Sequence, residues 1–179
     1  MRYLSGWILI CGLCLTACTT TNYQNVPAEK VAQGVTVRDS EYDKVRTYTG
    51  PILHKDTRRG IFQDNIVYSL GANKDKSSGK IQYVVAVQIL YIGEWRFYDS
   101  ISLKGGTRIP VKTLSRKVNF CDIGCSYTET FVAEVDSLTM AVWAEAGLTI
   151  RINSQVGADD ELSFSSSYVT GFLAGLSHR

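Results

Sequence analysis

Histidine is almost missing from this 179-residue chain, where His54 and His178 are the two imidazoles. That scarcity leaves little room for the commonest general base, for the usual partner of a nucleophilic Ser or Cys, and for most zinc ligand sets. The spacings that mark such chemistry are missing too: there is no Gly-x-Ser-x-Gly, no His-Glu-x-x-His and no phosphate-cradling glycine loop. Charge of one sign is not in excess, since 19 Lys and Arg face 17 Asp and Glu for a formal net charge of +2. This balance does not suggest a nucleic-acid partner. No internal repeat is present, and no second apolar run follows the one at the start. With 45% hydrophobic and 11% aromatic residues the chain is too apolar to be disordered and long enough for one domain with a real core. No metal and no cofactor is expected.

What the chain does have begins at Met1-Arg2. The apolar stretch Tyr3–Ala17 is shorter than the ~20 residues a helix needs to cross a bilayer and fits the ~7–15 apolar residues of a signal peptide. A short uncleaved anchor or a buried helix is the competing reading. The stretch ends in Leu15-Thr16-Ala17-Cys18, small residues before a Cys, and this resembles the lipobox of bacterial lipoprotein precursors. The resemblance implies cleavage before Cys18, a diacylglyceryl thioether on its sulfur and acylation of its new amino group. Residues 1–17 would then be the signal peptide, Cys18 the lipidation site, and the membrane a partner through that lipid. Each buried methylene contributes ~0.8 kcal/mol, and more than one acyl chain anchors stably. Thr19, in place of the Asp that retains such proteins at the inner membrane, implies in a two-membrane cell an outer-membrane protein facing the periplasm of the bacterial cell envelope; in a cell with one membrane the anchor is the cell surface.

In that setting the cysteines sort themselves. Cys11 and Cys14 leave with the leader and Cys18 takes lipid, so Cys121 and Cys125 remain in an oxidising compartment. Cys121-Asp-Ile-Gly-Cys125 fits a disulfide across a tight turn. A zinc site would need a second ligand pair, a redox site would read Cys-x-x-Cys, and a nucleophile would need a positioned His.

Thr19 to about Tyr42 shows no strong period, so residues 18–42 are expected to be a flexible tether, or Val35-Thr36-Val37 packs as an edge strand. Residues 43–179 are expected to form one β-rich domain. Ile81, Tyr83, Val85, Val87, Ile89 and Tyr91 alternate, and Val84, Ala86, Leu90 and Ile92 make the second face apolar, which predicts a central strand covered on both sides. Gly93-Glu94 then predicts a turn into Trp95–Leu103, giving a hairpin. Further strands are expected over Gly60–Leu70, Thr107–Val111 (at an edge or bulge because of Pro110), Val118–Phe120, Tyr127–Val135 and Leu148–Asn153. Two short helices interrupt them: one capped by Asp136 or Ser137 and stopped by Gly147, the other from Ser166 or Ser167 through Leu176. The predicted fold class is mainly β, an antiparallel β-sandwich with two short α-helices.

The order of Cys121-x3-Cys125, a strand, a helix to Gly147, Leu148-Thr-Ile-Arg-Ile and Tyr168-Val-Thr-Gly-Phe-Leu-Ala-Gly-Leu resembles the end of the invasion-associated locus B type periplasmic proteins. About a third of the chain is covered. The resemblance implies a small exported β-sandwich and supports the disulfide, and it carries over no active residue.

One surface pattern stands out. Lys104, Arg108, Lys112 and Arg116 recur at even spacing, so an extended path places them on one side, with Lys117 nearby and Ile109 and Val111 turned inward. Such a row suits anionic lipid, lipid A phosphates or peptidoglycan carboxylates, or it is an edge strand charged against aggregation. Tyr91, Trp95, Phe97 and Tyr98 suit either a sugar- or peptide-binding face or the core, with the core expected at least for Trp95 and Phe97; His54 is expected in a surface loop, and Asp159-Asp160-Glu161 in a solvated turn rather than as an acid–base pair. Asn73-x-Asp75-x-Ser77 departs from a calcium loop, because Gly79 falls one place late and Val84 stands where the Glu should be. The function these features predict is a lipid-anchored, non-enzymatic binding module for an envelope protein, glycan or lipid. The alternatives are a carboxylate-dependent envelope hydrolase and a structural tether in a membrane complex.

Overall fold

A computed structural model describes residues 22–122 and 124–177. The leader, Cys18 and His178 lie outside the described residues. Ten strands form one antiparallel sheet: β1 (Thr36–Arg38), β2 (Val45–Thr49), β3 (Leu53–Arg59), β4 (Phe62–Asp75), β5 (Ile81–Gly93), β6 (Tyr98–Leu103), β7 (Arg108–Cys121), β8 (Cys125–Val135), β9 (Leu148–Ser154) and β10 (Asp160–Phe164). Their spatial order is β1-β2-β4-β5-β8-β7-β6-β9-β10, with β3 on the lower part of β4. The mainly β, sandwich-like class expected from the sequence is what the chain adopts.

The sheet curls until β10 lies beside β3 and β4. No main-chain ladder joins them, and side chains close the seam instead. Three alternate carbonyls of β10 and its approach are taken by Arg59 (to Asp159 O, 2.7 Å), Lys55 (to Glu161 O, 2.5 Å) and Tyr68 (to Ser163 O, 3.1 Å). Gln24 adds its amide N–H to Ser163 O and accepts from Ser165 N at 3.0 Å. An edge that would otherwise template aggregation is thus satisfied within the molecule.

Antiparallel order sorts the connections into two ends. The turns after β4 and β6 and the helices α2 (Ser137–Ala146) and α3 (Ser166–Ser177) lie at one end. The links β3–β4, β5–β6, β7–β8 and β9–β10 lie at the other, which we call the loop end. In α3 the first-turn amide of Tyr168 is capped by Ser165 Oγ at 3.2 Å, and Tyr168 and Phe172 are buried. The Tyr168 hydroxyl donates to Pro51 O at 2.5 Å, fixing α3 to the chain between β2 and β3.

Three expectations need correction. From residue 22 onward the N-terminal segment is not a tether: α1 (Ala28–Gly34) packs on α3, and Val31 and Val35 are fully buried. Its docking depends on Gly171 and Gly175 of α3, which let the α1 backbone approach where any side chain would collide. Second, β5 and β6 are no hairpin; β5 pairs with β4 and β8, while β6 pairs with β7 and β9. Phe97 takes positive φ (51°) in the link, which carries the chain across to the opposite wall. Third, β5 is central but one-sided: Val85, Val87, Ile89 and Tyr91 are buried while Leu90 is exposed. Helix α2 is capped by Asp136 and ended by Gly147 (φ 72°) as expected, and it buries Met140 and Trp143 while Leu138 and Val142 are exposed.

Candidate functional site

The loop end is closed by a layer of charged side chains that alternation could not reveal. Asp64 on β4 is fully buried and accepts both Nη atoms of Arg96, at 2.5 and 2.9 Å, and Nε of Arg59 at 2.9 Å. Arg59 continues to Asp160 Oδ2 at 2.5 Å, and Thr57 donates to Asp160 Oδ1 at 2.8 Å. Arg96, 7% exposed, lies over the Tyr91 ring at 4.1 Å. Burial works against its charge, yet the Asp64 contacts outweigh that and hold the guanidinium above its ordinary range.

A second cluster adjoins the first. Glu129 on β8, 1% exposed, accepts from the Tyr91 hydroxyl at 2.6 Å, from Phe97 N at 3.0 Å and from Arg116 Nε at 2.9 Å. Arg116 also covers the Phe97 ring at 5.0 Å, and Trp95 packs on Tyr127 with ring centroids 4.5 Å apart. Burial, and then the Glu129 contact, raises the Tyr91 hydroxyl above its usual range; burial pushes Tyr98 up to about 12. Asp64, Asp160 and Glu129 each engage at least one guanidinium, so the clusters act as a rigid plate on which the loops are mounted.

Beyond this plate the hairpin β7–β8 projects, tied at its tip by the Cys121–Cys125 disulfide. Its Val118 and Phe120 are exposed (52% and 61%), as are Leu114 on β7, Ile61 in the β3–β4 turn and Val156 in the β9–β10 turn. Apolar side chains from three connections therefore stand in solvent at one end of the sheet.

The candidate cationic row does not survive as one row. Lys104 lies in the turn after β6, against a cleft of about 480 Å³ that Leu138, Val142 and Trp143 of α2 also line. Arg108 approaches Asp99 at 3.9 Å and Lys112, opposite Val132, keeps to the outer face. A bulge at Leu114 then shifts the alternation, so Arg116 falls opposite Glu129 on the inner face. Ile109 and Val111 pack against the core as expected.

The other candidates distribute simply. His54 is exposed on β3 rather than in a loop. Phe97 is partly exposed and Trp95 partly buried, against the core placement expected for both. Asp160 is buried in the plate instead of solvated, while Asp159 accepts Ser154 N at 2.9 Å. Asp75 Oδ1 accepts from the amides and hydroxyls of both Ser77 and Ser78, which lowers its pKa and closes the β4–β5 turn. Among the described residues no cluster of three metal-ligating side chains occurs, and no helix is long and apolar enough to cross a membrane. No protein-family model, no curated protein and no solved structure matches this chain.

Sequence reading missed Asp64, Arg96 and Glu129. Asp64 and Glu129 are each flanked by polar residues (Gln63 and Asn65; Thr128 and Thr130) and Arg96 by Trp95 and Phe97. The one available signal is that Asp64, two places from Phe62 and Ile66, and Glu129, two places from Tyr127 and Phe131, fall on the apolar face of an alternating strand, where a charge needs a partner.

Proposed function

We propose that the chain is a lipid-anchored cell-envelope interaction module, held by acyl groups on Cys18 and binding a protein partner through its loop end. The observation that carries this reading is the rigid charged plate bearing exposed Ile61, Val118, Phe120 and Val156 around it. A surface of apolar tips on a fixed base suits a protein interface, where a few large side chains dominate binding. The hydrolase alternative calls for a carboxylate free to exchange a proton, whereas Asp64, Asp160 and Glu129 are engaged by arginines.

The N-terminal segment adds an orientation. Because the chain is folded against α3 from Tyr23 on, the five residues from Cys18 to Tyr23 reach at most roughly 18 Å at ~3.5 Å per residue. With Cys18 lipidated, the helical end rests near the headgroups and the loop end points away, into the periplasm for an outer-membrane protein. The test of the anchor is labelling with a palmitate analogue. Wild type should take up label and stay with membranes, and Cys18→Ser should do neither; an unlabelled, soluble wild-type protein overturns the reading.

A further inference from the structure

The outer edge of β7 is treated differently from the edges at β10 and β1. The β10 edge is sealed by Arg59, Lys55, Tyr68 and Gln24, and β1 is three residues long. On β7, pairing with β6 stops at Pro110, so from Val111 to Cys121 β8 is the sole strand neighbour among the described residues. Bulges at Leu114 and Asn119 break this length, leaving Ser115–Val118 as a regular stretch between them.

Charge selects the occupant. β7 contains Arg108, Lys112, Arg116 and Lys117 and no Asp or Glu. Arg108 and Arg116 have acidic partners within the chain, and Lys112 and Lys117 are exposed. Antiparallel pairing of β7 with a second copy would set these cations against one another, and like charges across a pair are destabilising. An extended acidic segment meets complementary charge instead. Leu114 and Val118 give its apolar side chains something to pack on. Strand addition of this kind takes affinity from main-chain hydrogen bonds and specificity from alternate side chains.

We propose that the β7 edge from Lys112 to Phe120 is a strand-addition site for an extended, acidic segment of a partner protein. This deepens the interaction reading and rests on it. The probe is a blocked ten-residue peptide of alternating Val and Glu, compared with the same peptide carrying Lys for Glu, titrated against the full detergent-solubilised protein by fluorescence anisotropy. The Glu peptide should bind at least about tenfold more tightly than the Lys peptide, with new amide-exchange protection over Ser115–Val118, and the preference should invert in Lys112→Glu/Lys117→Glu. Equal affinity for the two peptides, protection confined to other strands, or cation-dependent binding to phosphatidylglycerol vesicles with no peptide preference overturns the proposal. A native partner that co-purifies equally with the double variant and with wild type also overturns the edge site while leaving the interaction module standing. Loss of every native partner from wild type counts against the module itself.

Discussion

Gly171 offers the sharpest test of how the N-terminal segment is held, because two effects of opposite sign compete there. Gly171→Ala should gain ~1 kcal/mol of helix propensity in α3 if nothing else changes. However, a Cβ at this position would lie 2.3 Å from Ala28 O and 2.6 Å from Val31 Cβ, both parts of α1 and neither a flexible side-chain end. The backbone of α1 must therefore move away, and with it Val31 and Val35, each 0% exposed. Full exposure of a valine costs ~1.5 kcal/mol or more. Two such losses, set against the propensity gain, leave a net destabilisation of about 2–3 kcal/mol. Urea unfolding followed by circular dichroism should show a lower midpoint, and limited proteolysis should find new cleavage between residues 22 and 38. A variant as stable as wild type, with no new cleavage, would refute the claim that α1 docks through glycine contact.

Two further outcomes follow from the charged plate. Asp64→Asn removes the charge that three guanidinium hydrogen bonds share and leaves Arg96 buried without its counter-ion, so stability should fall by about 3–5 kcal/mol in denaturant titration; a loss under 1 kcal/mol would contradict the buried-pair account. Tyr98 is held protonated to about 12 by burial, against ~10 in an unfolded chain. The unfolded state then binds fewer protons between these values, so the share of stability that Tyr98 contributes below pH 10 should be lost at ~1.4 kcal/mol per pH unit from pH 10 to 12. Rapid-mixing unfolding rates measure this, and Tyr98→Phe should reduce the slope by that amount while Tyr91 and Tyr168, also raised by burial, keep the remainder; an unchanged slope would count against the burial explanation.

How much was readable depended on the range of the signal. Local punctuation worked: Asp136 and Gly147 bracket α2, and Cys121-x3-Cys125 closes a hairpin tip. Alternation found the strands but not their partners. The step from β5 to β6 reads as a hairpin because Gly93-Glu94 is a good local turn, and the crossover is fixed by Arg96 reaching Asp64, 32 positions away in sequence. Strict two-residue spacing aligned Lys112 with Arg116, and a single bulged residue, Leu114, undid it. The segment before β2 looked structureless because α1 is short, and its order comes from α3 at the far end of the chain. The plate was illegible for the same reason: Asp64, Arg96, Asp160 and Glu129 become a cluster once four connections meet.

On the reading proposed above, acyl groups on Cys18 hold the protein at a membrane and a protein partner meets its loop end. The most direct measurement places a photo-crosslinking amino acid at Phe120, and in a separate variant at Leu138, in cells expressing the lipidated chain. A discrete protein adduct is predicted from position 120 and none from position 138, which the proposed anchoring turns towards the headgroups. Lipid adducts alone from position 120, or the same protein adduct from both positions, would contradict it.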